Sequence, residues 1–317
     1  MRAIAIQKPG GPDTLVIVER PTPQPMRGEV LVRVRATAVN RADLLQRMGH
    51  YPAPTDAPAD IPGLEIAGVV EAIGPNVERL KIGDRVFGLV GGGGYAEYCV
   101  SHERALAKIP DLLSDDDAAA VPEAFITAYD AMMQIDVHAG DAMLVSACGS
   151  GVGTAAIQLG HAIGATTLGT ARHADKLERC KALGLDRGAV AKDGTWQLPA
   201  PTKIIELVGG PYLAEDLRQI EPRGKIVLVG LLAGAKADLD QALILRKRLT
   251  VVGTVMRARP LEEKIAAMRQ FETHVVPLLA QKKVKPIVDK TFELADAPRA
   301  HEYMASNDGF GKIVLRC

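Results

Sequence analysis

The chain has 317 residues, 47% hydrophobic and 24% charged, and its 38 basic and 38 acidic side chains cancel to a formal charge of zero. That length suggests two domains with well-buried cores, and the charge balance argues against a nucleic-acid or anionic-membrane partner, each of which calls for an excess of Lys and Arg. Four scattered cysteines (Cys99, Cys148, Cys180, Cys317), no signal-peptide pattern and no long apolar run point to a cytoplasmic protein in a reducing compartment.

In chain order, the first third predicts short strands at Ala3–Gln7, Leu15–Glu19, Val30–Val39, Ala67–Ile73 and Arg85–Leu89. Proline-dense connections separate them, which suggests a partly open β-barrel with long loops. Ser114 followed by three aspartates opens a helix, and Pro122 divides it from a second helix, Glu123–Gln134. Apolar strands at Ala142–Ala147, Thr166–Thr170, Lys203–Val208, Lys225–Val229 and Leu249–Val255 then alternate with helical patterns at Thr154–Ile163, Asp175–Leu183 and Tyr212–Ile220. This alternation specifies an α/β doubly wound parallel sheet. After Pro260 one amphipathic helix is expected to run to Lys283, followed by strand, helix and strand. The tail resembles the first third, so the expected domains are 1–122 with 261–317, and an inserted 123–260.

The stretch LVSACGSGVGTAAIQLG, Leu144–Gly160, runs from an apolar strand through a turn of tiny residues into a helix. Such a turn lets backbone N–H groups and the helix N-terminus hold a pyrophosphate, here on Ser150, Gly151, Val152 and Gly153. A strict G-x-G-x-x-G pattern fails. The next strand, Ala165–Ala171, is followed by Arg172, His173 and Lys176, with no acid directly after it. An acid there would hold a ribose 2′-hydroxyl, whereas positive groups fit a 2′-phosphate, so NADPH is expected as cofactor. The plain alternative is that these are solvated surface charges. Seven scattered histidines and the absence of closely spaced cysteines give no metal site.

Several segments together resemble the zinc-independent quinone oxidoreductases of the medium-chain dehydrogenase/reductase superfamily, with the nearest likeness to the tumour-suppressor-inducible group. They are KPGGP (Lys8–Pro12), NRADLLQRMGHY (Asn40–Tyr51), PGLEIAGVV (Pro62–Val70), KIGDRVFGL (Lys81–Leu89), GGGGYAEY (Gly91–Tyr98), VPEAFITAY (Val121–Tyr129), SGVGTAAIQLG (Ser150–Gly160) and GKIVL (Gly311–Leu315). The resemblance implies a GroES-like barrel domain beside a Rossmann domain. It also accounts for the serine in the phosphate turn.

In zinc-dependent alcohol dehydrogenase relatives, a Cys ligand stands where this chain has Asn40 and a His ligand where it has Leu64; neither replacement binds zinc. Glu65, retained from that pattern, is expected to pair with a base such as Arg41. Without a Lewis acid the chemistry suits an acceptor that takes hydride readily, such as a quinone. The resemblance implies that Asn40 bonds the nicotinamide ribose, Tyr51 orients substrate or supplies a proton, Thr127 approaches the nicotinamide, Gly230 and Leu231 line a loop, and Lys312 lies near the cofactor. Each has an ordinary alternative. Tyr51 pins its loop, Thr127 bonds back to its helix, Asn40 ends a strand, and Lys312 guards an edge strand. Many relatives place a Tyr against the 2′-phosphate where this chain has Ala191, and Cys148 reads as a small residue that fits the turn. The edge strand Leu249–Val255 suggests a homodimer through a continuous sheet. An NADPH-dependent enone or enoyl-thioester reductase, or a non-catalytic NADPH binder, is the alternative reading.

Overall fold

The computed structural model describes residues 1–317. In chain order the elements are β1 Arg2–Ile6, β2 Leu15–Glu19, β3 Glu29–Val39, α1 Arg41–Arg47, β4 Glu65–Ile73, β5 Arg85–Leu89, β6 Tyr98–His102, β7 Leu106–Lys108 and α2 Asp115–Ala119. A π-helical turn, Pro122–Ile126, leads into α3 Thr127–Gln134. Then follow β8 Ala142–Val145, α4 Gly151–Ala162, β9 Thr166–Ala171, α5 Ala174–Lys181, β10 Arg187–Val190, β11 Lys203–Glu206, α6 Pro211–Gln219, β12 Lys225–Leu228, α7 Gln241–Lys247 and β13 Thr250–Gly253. The chain ends with α8 Leu261–His274, α9 Val276–Ala280, β14 Val288–Glu293, α10 Ala297–Ser306 and β15 Lys312–Arg316. No helix is long and apolar enough to cross a membrane.

Two compact units divide the chain: Met1–Ile126 with Met256–Cys317, and Thr127–Val255. The divisions lie a few residues from the expected ones after 122 and 260. As a result Glu123, Met256 and Arg257 sit in the first unit.

The first unit carries a seven-stranded sheet of order β14-β15-β3-β4-β5-β7, with β6 also paired to β3. Strand β3 is its spine, eleven residues of alternating and then continuous burial, paired antiparallel with β15, β4 and β6. Val30, Val32, Val34, Ile66, Val86 and Leu106 form one core against this sheet. The tail closes the sheet, because β15 lies between β14 and β3. Lys312 therefore enters an interior strand, which removes the edge-strand explanation for it. The expected single helix from Pro260 to Lys283 is instead two. It breaks at Val275, with Pro277 in the first turn of α9, where a ring that lacks an N–H is tolerated.

The second unit is a six-stranded parallel sheet of order β10-β9-β8-β11-β12-β13. Sequence order reverses between β8 and β11, and the carboxyl ends of strands at such a reversal form the usual ligand crevice of an open α/β sheet. Strand β13 covers Thr250–Gly253, shorter than the expected Leu249–Val255, and ends the sheet.

Candidate active site

In the second unit the phosphate turn follows β8. Cys148 N–H donates to the Thr170 carbonyl at 2.9 Å, and the Ser146 hydroxyl accepts from Leu207 N–H at 2.6 Å, so the turn is pinned to both neighbouring strands. Ala147 adopts φ of 47°, the left-handed turn that swings the chain into α4. Ser150 is the N-cap of α4 and accepts from Gly153 N–H at 3.1 Å. This is the physical reason a serine stands here: its hydroxyl satisfies an end-of-helix donor that a glycine would leave to solvent. Gly153 is obligatory, since a Cβ there would meet the Ala147 carbonyl oxygen at 2.5 Å. Val152 lies in the first turn of the helix behind it.

Arg172 and His173 are exposed at the start of α5, and Lys176 is half-buried one turn further on. The Arg172 charge reaches the Tyr212 phenol of α6, whose burial raises it above the ordinary value while Arg172 pulls it down. Ala191, the position where many relatives carry a tyrosine, is buried in the core beside Trp196. Thr127 is buried, yet its hydroxyl has no hydrogen-bond partner, and the same holds for Thr170 at the end of β9. The ordinary alternative for Thr127, a back-bond to its own helix, is therefore absent. Gly230 and exposed Leu231 follow β12. A pinned turn at a helix N-terminus, a glycine cradle and orphaned hydroxyls fit a nicotinamide dinucleotide.

Cys148 has a neighbour that the sequence spacing concealed. Its sulfur lies 3.7 Å from that of Cys180, and both thiols are free and buried.

In the first unit Asn40 joins a buried charge cluster. The residue is the N-cap of α1: its own N–H donates to Asp43 Oδ2 at 2.7 Å, and its carbonyl accepts from Asp43 N–H at 3.0 Å. Asn40 Nδ2 donates to Glu65 Oε1 at 2.8 Å and to the Ala38 carbonyl at 3.2 Å. Lys312 Nζ donates to Asn40 Oδ1 at 2.5 Å, Glu65 Oε1 at 2.7 Å and the Val39 carbonyl at 3.5 Å. Glu65 Oε2 accepts from Glu123 N–H at 2.8 Å.

Glu65 thus pairs with Lys312, and the expected pairing with Arg41 fails. Arg41 bonds the Met304 carbonyl and Asn307 instead. The Lys312 ammonium has committed its three protons, and Asn40 retains one Oδ1 lone pair for any ligand. Both are positioning residues in this arrangement.

Beside the cluster is a small, partly open cavity lined by Leu64, Leu89, Val90, Glu123, Met256, Arg257 and Lys264. Arg257 donates to the Gly91 carbonyl (2.7 Å), the Tyr51 carbonyl (3.3 Å) and Gln46 Oε1 (2.7 Å), and lies 5.3 Å from the Tyr51 ring centroid. This cation–π contact holds Tyr51 in place, so the loop-pinning reading of Tyr51 has a physical basis. Burial raises the Tyr51 phenol above its usual value. Burial also pushes the Glu123 carboxyl up to about 8, reinforced by the Glu65 charge, and the Asp43 carboxyl up to about 6.

Behind Asp43, Tyr95 and His301 form a relay. Arg47 lies 3.3 Å from His301 Nδ1, His301 Nε2 is 3.1 Å from the Tyr95 hydroxyl, and that hydroxyl is 3.3 Å from Asp43 Oδ2. Arg47 can only donate, which leaves the proton of neutral His301 on Nε2. No group of three or more His, Cys, Asp or Glu side chains is arranged to hold a metal ion.

Sequence reasoning missed α1, although Asn40 followed three residues later by Asp43 is a helix-start signal. It also missed Glu123 and Arg257, which look like a first-turn acid and a loop base.

The alcohol dehydrogenase GroES-like domain profile matches residues 26–111, and that of the zinc-binding dehydrogenase matches residues 199–315. A solved NAD-dependent alcohol dehydrogenase is 30% identical and superimposes with a TM-score of 0.87, each chain covered in full. This chain belongs to the medium-chain dehydrogenase/reductase superfamily. It has the GroES-like unit and the Rossmann unit of that superfamily. The Escherichia coli quinone oxidoreductase in complex with NADPH is 25% identical with a TM-score of 0.89, again with full coverage of both chains. Erythronolide synthase EryA2 of Saccharopolyspora erythraea is 34% identical over 92% of this chain, which spans 8% of that protein.

Proposed function

We propose that the chain is an NADPH-dependent, zinc-independent quinone reductase, nearest in character to the tumour-suppressor-inducible group. The observation that carries this reading is the chemistry at Asn40 and Leu64. Zinc-dependent relatives hold metal ligands at these positions, whereas here one is an amide locked to Glu65 and Lys312 and the other an apolar cavity wall. Bound NADPH supplies a hydride, which an electron-poor quinone takes without a Lewis acid.

The chain's own residues do the rest. The turn Ser150, Gly151, Val152 and Gly153 holds the pyrophosphate on the backbone N–H groups of Gly151 and Val152, since those of Ser150 and Gly153 are bonded to the Ala147 carbonyl and the Ser150 hydroxyl, and Arg172, His173 and Lys176 hold the 2′-phosphate. Thr127 offers its unpartnered hydroxyl to the cofactor, and Gly230 and Leu231 form a wall for it. Lys312 and Glu65 hold Asn40, while Tyr51 and the cavity beside Leu64 orient the acceptor.

The test is an acceptor screen with NADPH and NADH side by side. Turnover of quinones with NADPH supports the reading. Turnover of enoyl thioesters alone would favour the alternative suggested by the likeness to erythronolide synthase. Tight NADPH binding with no turnover of any acceptor would favour a non-catalytic binder.

The strand β13 ends its sheet near exposed Leu245 and Val255, and pairing with its twin would give a homodimer. A monomeric mass by sedimentation rejects that pairing.

A further inference from the structure

We infer that Glu123 is the proton donor of the site, delivering the proton of its carboxylic acid to the carbonyl oxygen of the acceptor. The inference rests on the reductase reading above and names the group that completes it.

Hydride addition to a carbonyl acceptor leaves an electron pair on oxygen, which must take a proton. The structure offers two hydroxylic groups near the cavity. Tyr51 turns toward the Arg257 guanidinium and is not part of the cavity wall. Glu123 is part of that wall, half-buried, together with apolar Leu64 and Leu89 and with Arg257 and Lys264. Its carboxyl makes no hydrogen bond or ion pair, while its backbone N–H is anchored to Glu65 Oε2. An anchored main chain with an unpaired acid in the wall of a cavity is the geometry of a donor, not of a structural carboxylate, which would be capped or paired.

Burial is the main reason this acid keeps its proton, and the charges around it adjust the effect. Glu65 on β4 and Asp43 on α1 oppose a negative charge on it. Lys312 on β15 and Arg257 before α8 favour one, but Lys312 is already committed to Glu65 and Asn40. Lys264 on α8 and Tyr51 complete the titratable neighbours. The net result is a carboxyl held at about 8, close to neutral pH, where a general acid is most effective, while the Tyr51 phenol is raised and is a weaker acid.

The step balances. A nicotinamide held by the second unit would supply the hydride pair for the new bond to the acceptor; the carbonyl π pair then moves to oxygen, and that oxygen takes the proton as the Glu123 O–H bond breaks. Water then returns a proton to the carboxylate.

The test has two arms. In the protein without cofactor, infrared difference spectra across pH 6 to 10 should show loss of a protonated-carboxyl band with a midpoint near 8 that is missing from Glu123→Gln. In turnover, wild-type kcat should be flat below about 8 and fall tenfold per pH unit above it. E123Q should lose roughly 100-fold or more in kcat and lose this limb, with NADPH affinity unchanged. Glu123→Asp, which keeps the acid but withdraws it, should be slower yet retain an alkaline limb. Wild-type-like kcat and pH profile in E123Q, or a carboxyl already ionised at pH 6, overturn the donor role alone. Absence of wild-type turnover with quinones and enones overturns the reductase reading and the donor role with it.

Discussion

Replacing Lys312 by Met should be among the most damaging single changes to the first unit. The ammonium is buried with three acceptors at 2.5, 2.7 and 3.5 Å, and its partner Glu65 is fully buried. Methionine keeps most of the stem volume, so the loss is electrostatic. Glu65 would keep its hydrogen bonds from Asn40 and Glu123 but lose its only counter-charge within reach. Breaking a buried pair from one side costs about 3–5 kcal/mol, because the remaining charge stays desolvated. For a unit of this size that corresponds to a fall in Tm of roughly 6–20 °C. Far-UV circular dichroism is the appropriate probe, because the sole tryptophan, Trp196, lies in the other unit. Combining Lys312→Met with Glu65→Gln should restore most of the lost stability. A single variant melting within about 1 °C of wild type would show that the pair contributes nothing and refute the argument.

Other outcomes follow from the same geometry. His301 is fully buried, and burial and the Arg47 charge push it down to about 3 from an ordinary 6.5. It is neutral when folded, so its contribution is complete above pH 6.5 and lost as pH falls toward 3. Tm measured across that range should fall less steeply in His301→Gln, and identical slopes would exclude His301 as the source. Arg172→Ala should weaken NADPH by roughly 10- to 100-fold in calorimetric titration with little change for NADH, as expected for loss of a charge-assisted bond to a phosphate; equal weakening of both would remove the 2′-phosphate assignment. Cys99, Cys148 and Cys180 are buried, and burial pushes Cys99 and Cys317 up to about 12. The native protein should therefore react slowly with an aromatic disulfide reagent and release four equivalents only when denatured. A rapid full titre would contradict the packing.

What the sequence made legible were features with local signatures. The β/α alternation from Ala142 to Gly253 is written in a repeating apolar pattern, and the turn at Cys148–Gly153 is written in its small residues. Helix α1 had a signal too, in Asn40 and Asp43, but it is only seven residues long and lies between a strand and a proline-rich loop. The break before α9 is marked by Pro277, which an amphipathic pattern easily overrides in reading. The charge cluster had no local mark at all. Glu65 meets Lys312 across 247 positions, and proximity at that separation is a property of the closed sheet rather than of any segment. Arg41 was the nearer base in sequence and the wrong one. Glu123 was hidden for a similar reason, since only packing tells a buried acid from a solvated one at a helix start.

The discontinuity of the first unit sets an order of events during synthesis. Thr127–Val255 is one uninterrupted stretch, so the nucleotide unit can close on itself as soon as it has emerged. Glu65 is less fortunate: at ~5–20 residues per second its counter-ion follows it from the ribosome by about 12–50 s. Until then the strand pairs β15-β3 and β14-β15 are missing, and a carboxylate destined for the interior must stay in water. Nascent chains of this protein therefore leave the edge of β3 at Ala36–Val39 unpaired until β15 arrives, and that edge is where a chaperone would have to hold it.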